Sequence, residues 1–551
     1  MNIFKENLII PYFDEFNNFN SNEVFLSQSA FSPGPYNPNN QNDCNFIINQ
    51  GTSNLYPYYS NAKETNFSSP QLTPFYQIPY NTFNEQNIFI NSSTNNTQIS
   101  NSPLISQIML QFREKLYPLL KKFFMDFAKK LINDEPIQIA VIDLDKTSII
   151  DYDIGCYSFP LGTDNFKYKI YNLFDNLKSI ARILKLATII QNKLDQLRPC
   201  TKRELYYENV DLFKSTDIID TNESDLCSIL GICRFDLPIF PSAKGLFCGN
   251  ITLINKNGNR LNINNSNMNN KINLINYEYL IEDFFIDENT KNNINFFQNI
   301  NINNNNNNFC QKYFVLIVEK ETLFFNLVGN YQFYSKFPNA IIITGKGYPD
   351  YITKIFIKKL SDQLNNYNVP FIYFGDHDPH GLEIYLNYVF GSTQSCKENS
   401  YMSIGNLKWI GLSHENIETI LKFSLINNEI KKEICDNYDN NNITIDNNIV
   451  VGEKDYIEDE ENENESQTSG LIKLNNKDKL KIKNILKREY FNNNENWINS
   501  HNPNNERILT NLAIIKNELI QMENSDYKAE GEYLVSKYFS DFLYLVEQSI
   551  I

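Results

Sequence analysis

Residues 371–385, FIYFGDHDPHGLEIY, form the most informative stretch of this 551-residue chain. The apolar run at its start predicts a buried strand, and the spacing of apolar residues after Pro379 predicts a helix. Two carboxylates, Asp376 and Asp378, lie between these elements. Oxygen ligands of this kind are the ones that Mg²⁺ prefers. The stretch therefore predicts a strand that ends in a site for a hard divalent cation.

Two similar apolar runs precede it, YFVLIVE at residues 313–319 and AIIITG at residues 340–345. A helix-like pattern follows each of them. Strands that are apolar throughout are typical of a parallel sheet covered on both faces, and ligands bind such sheets at the carboxyl ends of the strands. We therefore expect Glu319, Asp376 and Asp378 to lie at one edge and to support metal-assisted chemistry on phosphates.

This acidic edge has two other interpretations. Acids at strand ends often cap the next helix or face solvent, but three acids after successive buried strands favour a metal. His377 and His380 suggest zinc, yet no cysteine and no third histidine lies near them in the sequence, as a zinc site would require. The pattern therefore favours Mg²⁺.

The loop GKGYPD, residues 345–350, lies between a predicted strand and a predicted helix. Its glycines allow the backbone to approach a phosphate or a neighbouring loop, and Lys346 could supply positive charge. A simple turn explains the pattern equally well.

A second constellation is TKRELYYENVDLF, residues 201–213. Its adjacent tyrosines, Tyr206 and Tyr207, lie on a predicted helix, and Arg203 is four residues before Tyr207 on the same face. A tyrosine hydroxyl is a weak nucleophile unless a base or a cation assists it. Arg203 could hold a phosphate or stabilise developing negative charge there. The alternative is that both tyrosines are core aromatics.

The region around these tyrosines has the order helix, turn, helix, helix and two short β-like segments. The second helix begins at Thr201, which forms a predicted capping box with Glu204 as its return partner. The predicted ranges are 178–194, 196–200, 201–213, 225–230, 234–240 and 245–254. This order is typical of a winged helix-turn-helix, which commonly presents a helix to DNA.

The predicted fold class is α+β multidomain, with a winged helix-turn-helix (CAP-like) domain, an α/β domain with a parallel sheet, and disordered asparagine-rich segments. The helix that precedes the winged domain is amphipathic, and Pro118 should break or kink it; packing on its own domain and binding a partner are equally good interpretations. The sequence predicts a disordered low-complexity N-terminus (1–103), then the amphipathic helix (104–135) and the winged-helix domain (136–260). An asparagine-rich linker (261–311) leads to the α/β domain with a C-terminal helical region (312–551). This last domain carries an acidic low-complexity insert at about 436–470.

The net charge is −16, but the acidic run at residues 453–465 contributes much of it, so local charge decides whether the chain can bind nucleic acid. Nine cysteines without a CxxC pair argue against a zinc ribbon or a disulfide framework. The chain has no apolar stretch as long as a membrane span and no signal-peptide pattern at its start. These features predict an intracellular protein that does not bind membranes.

One motif supports a rival function. AVIDLDKT, residues 140–147, matches the D-x-D-x-T opening of haloacid-dehalogenase-type phosphatases, with Asp143 as the nucleophile. The alternating α/β continuation expected of that fold is absent downstream, so we interpret the match as chance.

Together, TKRELYY, IVEKE, GKGYPD and GDHDPHG resemble motifs of the A subunit of DNA topoisomerase VI, a family that includes the meiotic endonucleases that make DNA double-strand breaks. FPSAKGL, which contains Lys244, and LKWIGLS and YKAEGEYL extend the resemblance. The chain departs from the family in its asparagine-rich insertions, in Glu321 where many members have Asp, and in KAEGE where KAEIE-like text is usual.

The resemblance implies that Tyr207 is the nucleophile, with Tyr206 as a packing or orienting neighbour. Arg203, Lys244 and Lys346 would support catalysis or DNA binding. Glu319, Asp376 and Asp378 would be the metal-binding acids of a Toprim domain, with Mg²⁺ as cofactor, although Glu319 could instead transfer a proton. The implied product is a 5′-phosphotyrosyl link between protein and DNA.

The resemblance also implies double-stranded DNA as substrate, a homodimer, a nuclear location, and a topoisomerase VI B-like ATPase or transducer subunit that binds residues 104–132. The leading function is double-strand cleavage that initiates meiotic recombination. The close alternative is the A subunit of a type IIB topoisomerase, which cleaves and religates DNA with an ATPase partner. A Toprim nuclease or primase-like enzyme and a non-catalytic DNA-binding scaffold are further alternatives.

Overall fold

The computed structural model describes residues 103–160, 166–261, 271–277, 279, 283–299, 311–419 and 471–550. Nearly all of the predicted N-terminal segment (1–103), the asparagine tract at 301–308 and the predicted acidic insert (436–470) lie outside the described residues. No helix in the described ranges combines the length and the apolar character that crossing a membrane requires.

The first described element is a long helix, α1 (Pro103–Ile132), which continues through Pro118 without a break. The prediction of a break there was wrong, because buried leucines on both sides of the proline, Leu116 and Leu120, hold the helix against the core. The buried face of α1 comprises Ile105, Ile108, Met109, Phe112, Leu116 and Leu120. The first two-thirds of α1 are therefore part of the fold's own core.

Two small antiparallel sheets of two strands each and a group of helices follow. The sheets are formed by β1 (Gln138–Ile142) with β4 (Tyr168–Asn172) and by β2 (Ile149–Asp151) with β3 (Cys156–Ser158), and the short helix α2 is Leu144–Thr147. The helices are α3 (Leu177–Asp195), α4 (Lys202–Glu208), α5 (Val210–Phe213) and α6 (Thr216–Leu230), with the two-residue strand β5 (Cys200–Thr201) before α4. The last of these is longer than the predicted helix at 225–230, because Ser215 caps it by accepting a hydrogen bond from the amide of Ile218.

The predicted ribbon after these helices does not form. The strand β6 (Ile239–Phe240) pairs in parallel with β5, and β7 (Leu246–Gly249) joins the large sheet, while β8 (Leu253–Asn255) pairs with β10 (Phe284–Ile286). The two predicted segments, 234–240 and 245–254, therefore pair with strands elsewhere in the chain and not with each other.

The range predicted as an asparagine-rich linker, residues 261–311, contains secondary structure in its described part. The elements are β9 (Asn273–Leu274), β10 and the helix α7 (Glu288–Gln298). Phe284, Ile286 and Ile294 are buried in the main core, so a few apolar residues among many asparagines are sufficient to order this stretch. The large sheet also crosses the predicted boundary at residue 260, since β7 pairs with a strand of the second half.

The large sheet has the strand order β14-β13-β11-β12-β7-β9. Its remaining strands are β11 (Phe314–Val318), β12 (Ala340–Thr344), β13 (Phe371–Phe374) and β14 (Leu407–Gly411). These four are parallel, β7 is antiparallel to β12, and β9 is antiparallel to β7. The helices between them are α8 (Glu321–Val328), α9 (Tyr331–Lys336), α10 (Tyr351–Leu364) and α11 (Pro379–Phe390). The prediction of a mixed α+β chain with a largely parallel sheet is confirmed.

The C-terminal region packs against this sheet. Its elements are β15 (Leu471–Lys473), α12 (Asn476–Leu486), α13 (Asn494–Ile498), α14 (Asn505–Ser525), β16 (Tyr527–Ala529), α15 (Gly531–Lys537) and α16 (Phe539–Ile550). Leu534, Phe542 and Val546 share a buried cluster with Phe374 of β13. Ala529 also forms a β-bridge with His377, which follows β13. Together these contacts bring the residues from Tyr527 onward to the edge where β13 ends.

Candidate active site

The acidic edge is formed by the carboxyl ends of β11 and β13. These strands are parallel neighbours in which Val318 is opposite Phe374, so the residues that follow them, Glu319 and Gly375, are brought side by side. The carboxylate of Glu319 accepts a hydrogen bond of 2.9 Å from the amide of Asp376. Glu319 and Asp376 are only 8% and 7% exposed.

Two glycines make room for the Glu319 carboxylate. A Cβ atom at Gly375 would lie 2.7 Å from Glu319 Oε2, and one at Gly381 would lie 2.9 Å from the same oxygen. Real Cβ atoms are not found at such distances. The two glycines of GDHDPHG are therefore required because backbone must approach this carboxylate closely.

Asp378 lies beside the pair but has a structural partner. It is the N-cap residue of α11, where its Oδ1 accepts a hydrogen bond of 2.5 Å from the amide of Gly381. Helix capping was one of the alternatives for these acids, and for Asp378 the structure shows it. A carboxylate at a cap can still offer its second oxygen to another group.

The electrostatics of this edge favour a positive charge. Burial, and then the neighbouring charge of Asp376, raise the pKa of Glu319 to about 8. Burial also raises the pKa of Asp376, although Lys320 opposes the shift. A bound cation would relieve both effects, since an opposite charge favours the ionised form of a carboxyl group.

The donor set consists of oxygen atoms only, which fits Mg²⁺. Across the described residues, no three His, Cys, Asp or Glu side chains are arranged together to hold a metal ion. Mg²⁺ commonly takes one or two protein carboxylates and completes its shell with water and substrate phosphate. Glu319 and Asp376 fit that requirement, with Asp378 adjacent.

His377 has a structural environment. Its side chain is fully buried, and Nδ1 lies 3.2 Å from the carbonyl oxygen of Leu412. Burial, and then the neighbouring His414, lower the pKa of His377 to about 4. The ring is therefore neutral near pH 7 and packs at the base of the site.

The sequence interpretation missed Lys320 and the segment that faces it. The ammonium group of Lys320 lies 2.9 Å from Asp376 Oδ2, 3.2 Å from Glu530 and 3.9 Å from Glu532. The amide of Gly531 donates a hydrogen bond of 2.9 Å to Asp376 Oδ1. The KAEGE segment thus borders the acidic edge directly.

The GKGYPD loop lies against the same edge. Lys346 and Gly347 have left-handed backbone conformations, with φ of 55° and 82°, and the amide of Gly347 donates to the carbonyl oxygen of Glu319. The ammonium group of Lys346 pairs with Glu321 at 2.7 Å. Here the loop is a turn packed on a neighbouring strand, and it places a lysine next to the acids.

Lys244 reaches the same loop from the segment before β7. Its ammonium group donates to the carbonyl oxygen of Tyr348 at 2.5 Å. Partial burial lowers the pKa of Lys244, and Lys346 adds to the effect while Asp350 opposes it. Two lysines from distant parts of the sequence therefore share one neighbourhood.

The tyrosine pair lies on α4, and the two side chains differ in environment. Tyr206 packs partly buried against the main core, whereas Tyr207 is 71% exposed. Their ring centroids are 5.4 Å apart. The core-aromatic alternative therefore describes Tyr206 but not Tyr207.

The start of α4 differs from the predicted capping box. Thr201 accepts a hydrogen bond of 3.1 Å from the amide of Glu204, but the Glu204 carboxylate binds Lys193 and Arg198, each at 2.8 Å, instead of returning to the cap. Half of the predicted box is present. The other half is replaced by ion pairs that attach α4 to α3 and the turn after it.

Arg203 is exposed on the same side of α4 as Tyr207. Lys202, Glu204 and Glu208 on this helix all form ion pairs. Within the described ranges, neither Arg203 nor the hydroxyl of Tyr207 has a hydrogen-bond or ion-pair partner. No hydrogen bond, ion pair or ring contact joins Tyr207 to the acidic edge in those ranges either.

Two family models match the chain. Residues 314–467 match the Toprim domain of the topoisomerase 6 A subunit and Spo11, and residues 178–239 match "Type IIB DNA topoisomerase". The first range contains the acidic edge, and the second contains α4 with its two tyrosines. The two halves of the candidate site therefore each lie within a matched domain.

Curated relatives point the same way. The chain is 29% identical over 238 residues to the human meiotic recombination protein SPO11, which covers 43% of this chain and 52% of the relative. It is 27% identical over 342 residues to the meiosis-specific protein SPO11 of Saccharomyces cerevisiae, covering 59% and 73%, respectively. The match to Caenorhabditis elegans spo-11 is 30% over 223 residues, covering 40% and 45%. The chain thus matches about half the length of the first of these relatives.

Proposed function

We propose that this chain cleaves duplex DNA by tyrosine transesterification and thereby initiates meiotic recombination, because two of its ranges match domains of topoisomerase VI A subunits and Spo11 proteins. The observation that carries the proposal is the exposed Tyr207 beside Arg203, which has no partner among the described residues, on a helix whose other charged side chains are all paired. A tyrosine that only packs in the core would be buried, whereas a tyrosine that attacks a substrate as large as DNA must be exposed.

In the proposed reaction, the Tyr207 hydroxyl gives its proton to water and its oxygen attacks a backbone phosphorus. The bond from phosphorus to the 3′ oxygen breaks, and the 3′ oxygen takes up a proton from water or from Glu319 and leaves as a hydroxyl. The 5′ end stays attached to the tyrosine. Arg203, one helical turn before the nucleophile, stabilises the charge on the phosphoryl oxygens.

Glu319 and Asp376, with Asp378 adjacent, would hold Mg²⁺, which when bound would stabilise the phosphoryl oxygens of the strand. Glu319 has a second role compatible with its environment. Burial and the neighbouring charge of Asp376 raise its pKa to about 8, which favours the protonated form when no metal is bound, and a protonated Glu319 could protonate the leaving 3′ oxygen. Glu319 must be deprotonated to bind a metal ion, whereas it must be protonated to give a proton to the 3′ oxygen.

We propose that the complete site is assembled in a homodimer. The support from the structure is the separation of the two halves, since no contact among the described residues joins Tyr207 to Glu319 or Asp376. In the proposed assembly the tyrosine of one protomer faces the acids of the other, so that two sites cut the two strands. A twofold symmetric dimer suits a duplex substrate.

The proposed DNA-binding module is the helical group from α3 to α6, nearly all of which lies in the range matched to type IIB topoisomerases. Lys244 and Lys346 would add phosphate contacts next to the acidic edge. Binding through phosphates should weaken with salt and show little sequence preference. The proposed location is the nucleus, where such a substrate is found.

A B-like ATPase or transducer subunit is the proposed protein partner, with α1 as its docking element. The face of α1 that is buried in this structure is not available to a partner. Leu110, Met125 and Ile132 remain exposed on the same helix, with exposed fractions from 44% to 70%. These are the side chains that a partner would cover.

The experiment that tests the cleavage proposal is detection of covalent protein–DNA adducts. Full-length protein, Tyr207→Phe and Tyr206→Phe would be incubated with duplex DNA and Mg²⁺, and the adducts trapped with denaturant. We expect adducts with the wild type and with Tyr206→Phe, and none with Tyr207→Phe. Adducts that persist in Tyr207→Phe would overturn the assignment of the nucleophile.

A type IIB topoisomerase subunit is the second candidate, favoured by the model matched at residues 178–239. A relaxation assay of supercoiled DNA with an ATPase partner and ATP separates the two functions. Strand passage with resealing would support the topoisomerase, whereas linear product with a retained adduct supports the endonuclease.

A further inference from the structure

Lys320 occupies the position on Asp376 where a cation would bind. Its ammonium group is 2.9 Å from Asp376 Oδ2, while the other carboxylate oxygen, Oδ1, is held by the amide of Gly531. Asp376 therefore has both oxygens engaged in this structure. A divalent ion that takes Oδ2 at its usual distance of about 2.0–2.1 Å would stand against the ammonium group.

The same ammonium group has two other acids within reach. Glu530 Oε2 is 3.2 Å away and Glu532 Oε2 is 3.9 Å away. Both belong to the C-terminal segment that also supplies Gly531. The lysine could leave Asp376 and stay paired, because its flexible stem needs only a short movement to transfer to these two carboxylates.

The acids around Lys320 differ in exposure. The Asp376 side chain is 9% exposed, whereas those of Glu532 and Glu530 are 31% and 51% exposed. A buried carboxylate without a positive partner is costly, whereas a carboxylate that is about half exposed, such as that of Glu530, keeps contact with water. Lys320 is therefore needed as a partner of Asp376 when no metal is bound. When a metal is bound, its ammonium group can pair with Glu530 and Glu532 instead.

We propose that Lys320 is an exchangeable counter-ion, which neutralises Asp376 in the metal-free protein and moves onto Glu530 and Glu532 when a divalent cation binds. The inference rests on the metal-binding part of the proposed function. It makes Lys320 a positioning residue that sets metal affinity, and it makes the 530–532 segment responsive to metal occupancy.

The test measures metal affinity without DNA and without cleavage. Mn²⁺ binding to the full-length protein would be followed by electron paramagnetic resonance, and Mg²⁺ binding by calorimetry. Asp376→Asn identifies the site, because binding there should be lost in that variant. Lys320→Met should bind Mn²⁺ about fivefold more tightly, since a competing ion pair of about 1 kcal/mol is removed.

The double variant Glu530→Gln/Glu532→Gln gives the opposite prediction. Lys320 would still neutralise Asp376 but would have no acceptor after displacement, so Mn²⁺ should bind more weakly than in the wild type. Lys336→Met is the matched control, because Lys336 is similarly exposed and pairs with Glu547 at 2.7 Å. Its affinity should equal that of the wild type.

Unchanged or weaker Mn²⁺ binding by Lys320→Met would overturn the inference, because it would show that the lysine organises the site or plays no part in it. If Lys320→Met fails to fold, the glutamate double variant decides alone, and affinity equal to the wild type overturns the inference. An absence of binding at Asp376 in every variant does the same. Metal binding as predicted without any covalent adduct would instead refute the cleavage proposal and leave this inference standing.

Discussion

The backbone amide of Gly531 donates a hydrogen bond of 2.9 Å to Oδ1 of Asp376, across 155 positions of sequence. The first residue of α15 thereby fixes the orientation of a carboxylate at the end of β13. The C-terminal segment is part of the acidic edge in this structure, and a change in it should be transmitted to Asp376.

The first prediction concerns the space around Gly531. A Cβ atom at this position would lie 2.9 Å from Cε1 of the Phe374 ring, which is buried. Gly531→Ala should therefore lower the free energy of unfolding by about 1–2 kcal/mol, because either the Phe374 ring or the segment around residue 531 must shift. Urea unfolding followed by circular dichroism measures this. Gly405→Ala is the control, since its nearest neighbour would be 3.6 Å away; equal effects at both positions would contradict the prediction.

The strands of the acidic edge could be predicted from sequence because each is a continuous apolar run that ends in an acid. Glu319 and Asp376 follow such runs, and parallel pairing brings the ends of neighbouring strands together. Their proximity therefore depends on a local pattern and one general rule of sheet geometry. The same holds for the helices between the strands, whose apolar spacing is strong.

The partners of these acids could not be predicted in the same way. Gly531 reaches Asp376 through tertiary packing of the C-terminal helices, and no local pattern encodes a contact over that separation. Lys320 is adjacent to Glu319 in sequence, yet its choice of Asp376, Glu530 and Glu532 depends on where that segment packs. The incorporation of β7 into the large sheet is a third example, since its partner β12 is about a hundred residues away.

The second prediction concerns a buried carboxylate that supports the tyrosine helix. Glu223 of α6 is completely buried, and Lys202 of α4 lies 3.1 Å from its Oε2. Lys202→Met should destabilise the protein by about 3 kcal/mol, because it removes the ammonium group that pairs with a carboxylate buried in the core. Lys202→Met combined with Glu223→Leu should recover much of the loss. Chemical unfolding of the wild type, the two single variants and the double variant measures the coupling free energy between residues 202 and 223.

The control for this cycle is the exposed pair Lys291–Glu288, at 2.7 Å, in which the Glu288 side chain is 79% exposed. Lys291→Ala should change the free energy of unfolding by less than about 1 kcal/mol. If Lys202→Met were as mild as this control, the ion pair between Lys202 and the buried Glu223 would contribute little to stability, and the prediction would be wrong.

The third prediction is a pH dependence that arises from Lys354. This lysine of α10 is 5% exposed, and its ammonium group donates to Asn387 at 3.0 Å. Burial lowers its pKa from 10.5 to about 8, while Cys156 and Glu398 act in the opposite direction. Between those two values the unfolded chain binds the proton and the folded protein does not, so this lysine makes stability rise with pH.

Lys354→Met should therefore stabilise the protein most below pH 8, and the gain should shrink as the pH rises toward 10.5. Unfolding free energies of wild type and variant across that range measure the difference. Lys358→Met, which removes a partly exposed lysine of the same helix, corrects for the effect of pH on the rest of the protein. A gain that grows with pH would contradict the predicted sign.

The last prediction separates catalysis from DNA binding at α4. Arg203 is exposed and has no partner among the described residues, so Arg203→Ala should leave the melting temperature unchanged. It should reduce the rate of covalent adduct formation by about 10- to 100-fold, because a charge-assisted contact to the reacting phosphate is lost. Arg203→Lys should restore part of the rate, since the charge returns without the planar fork.

Lys178→Ala is the matched control for this prediction, because it removes one exposed positive charge from α3 and leaves α4 intact. Both variants should weaken DNA binding slightly through the loss of charge, but only Arg203→Ala should lower the rate with DNA at saturation. Equal rates in the two variants under that condition would show that Arg203 contributes only to binding, and Tyr207 would then need another residue to stabilise the charge on the phosphate.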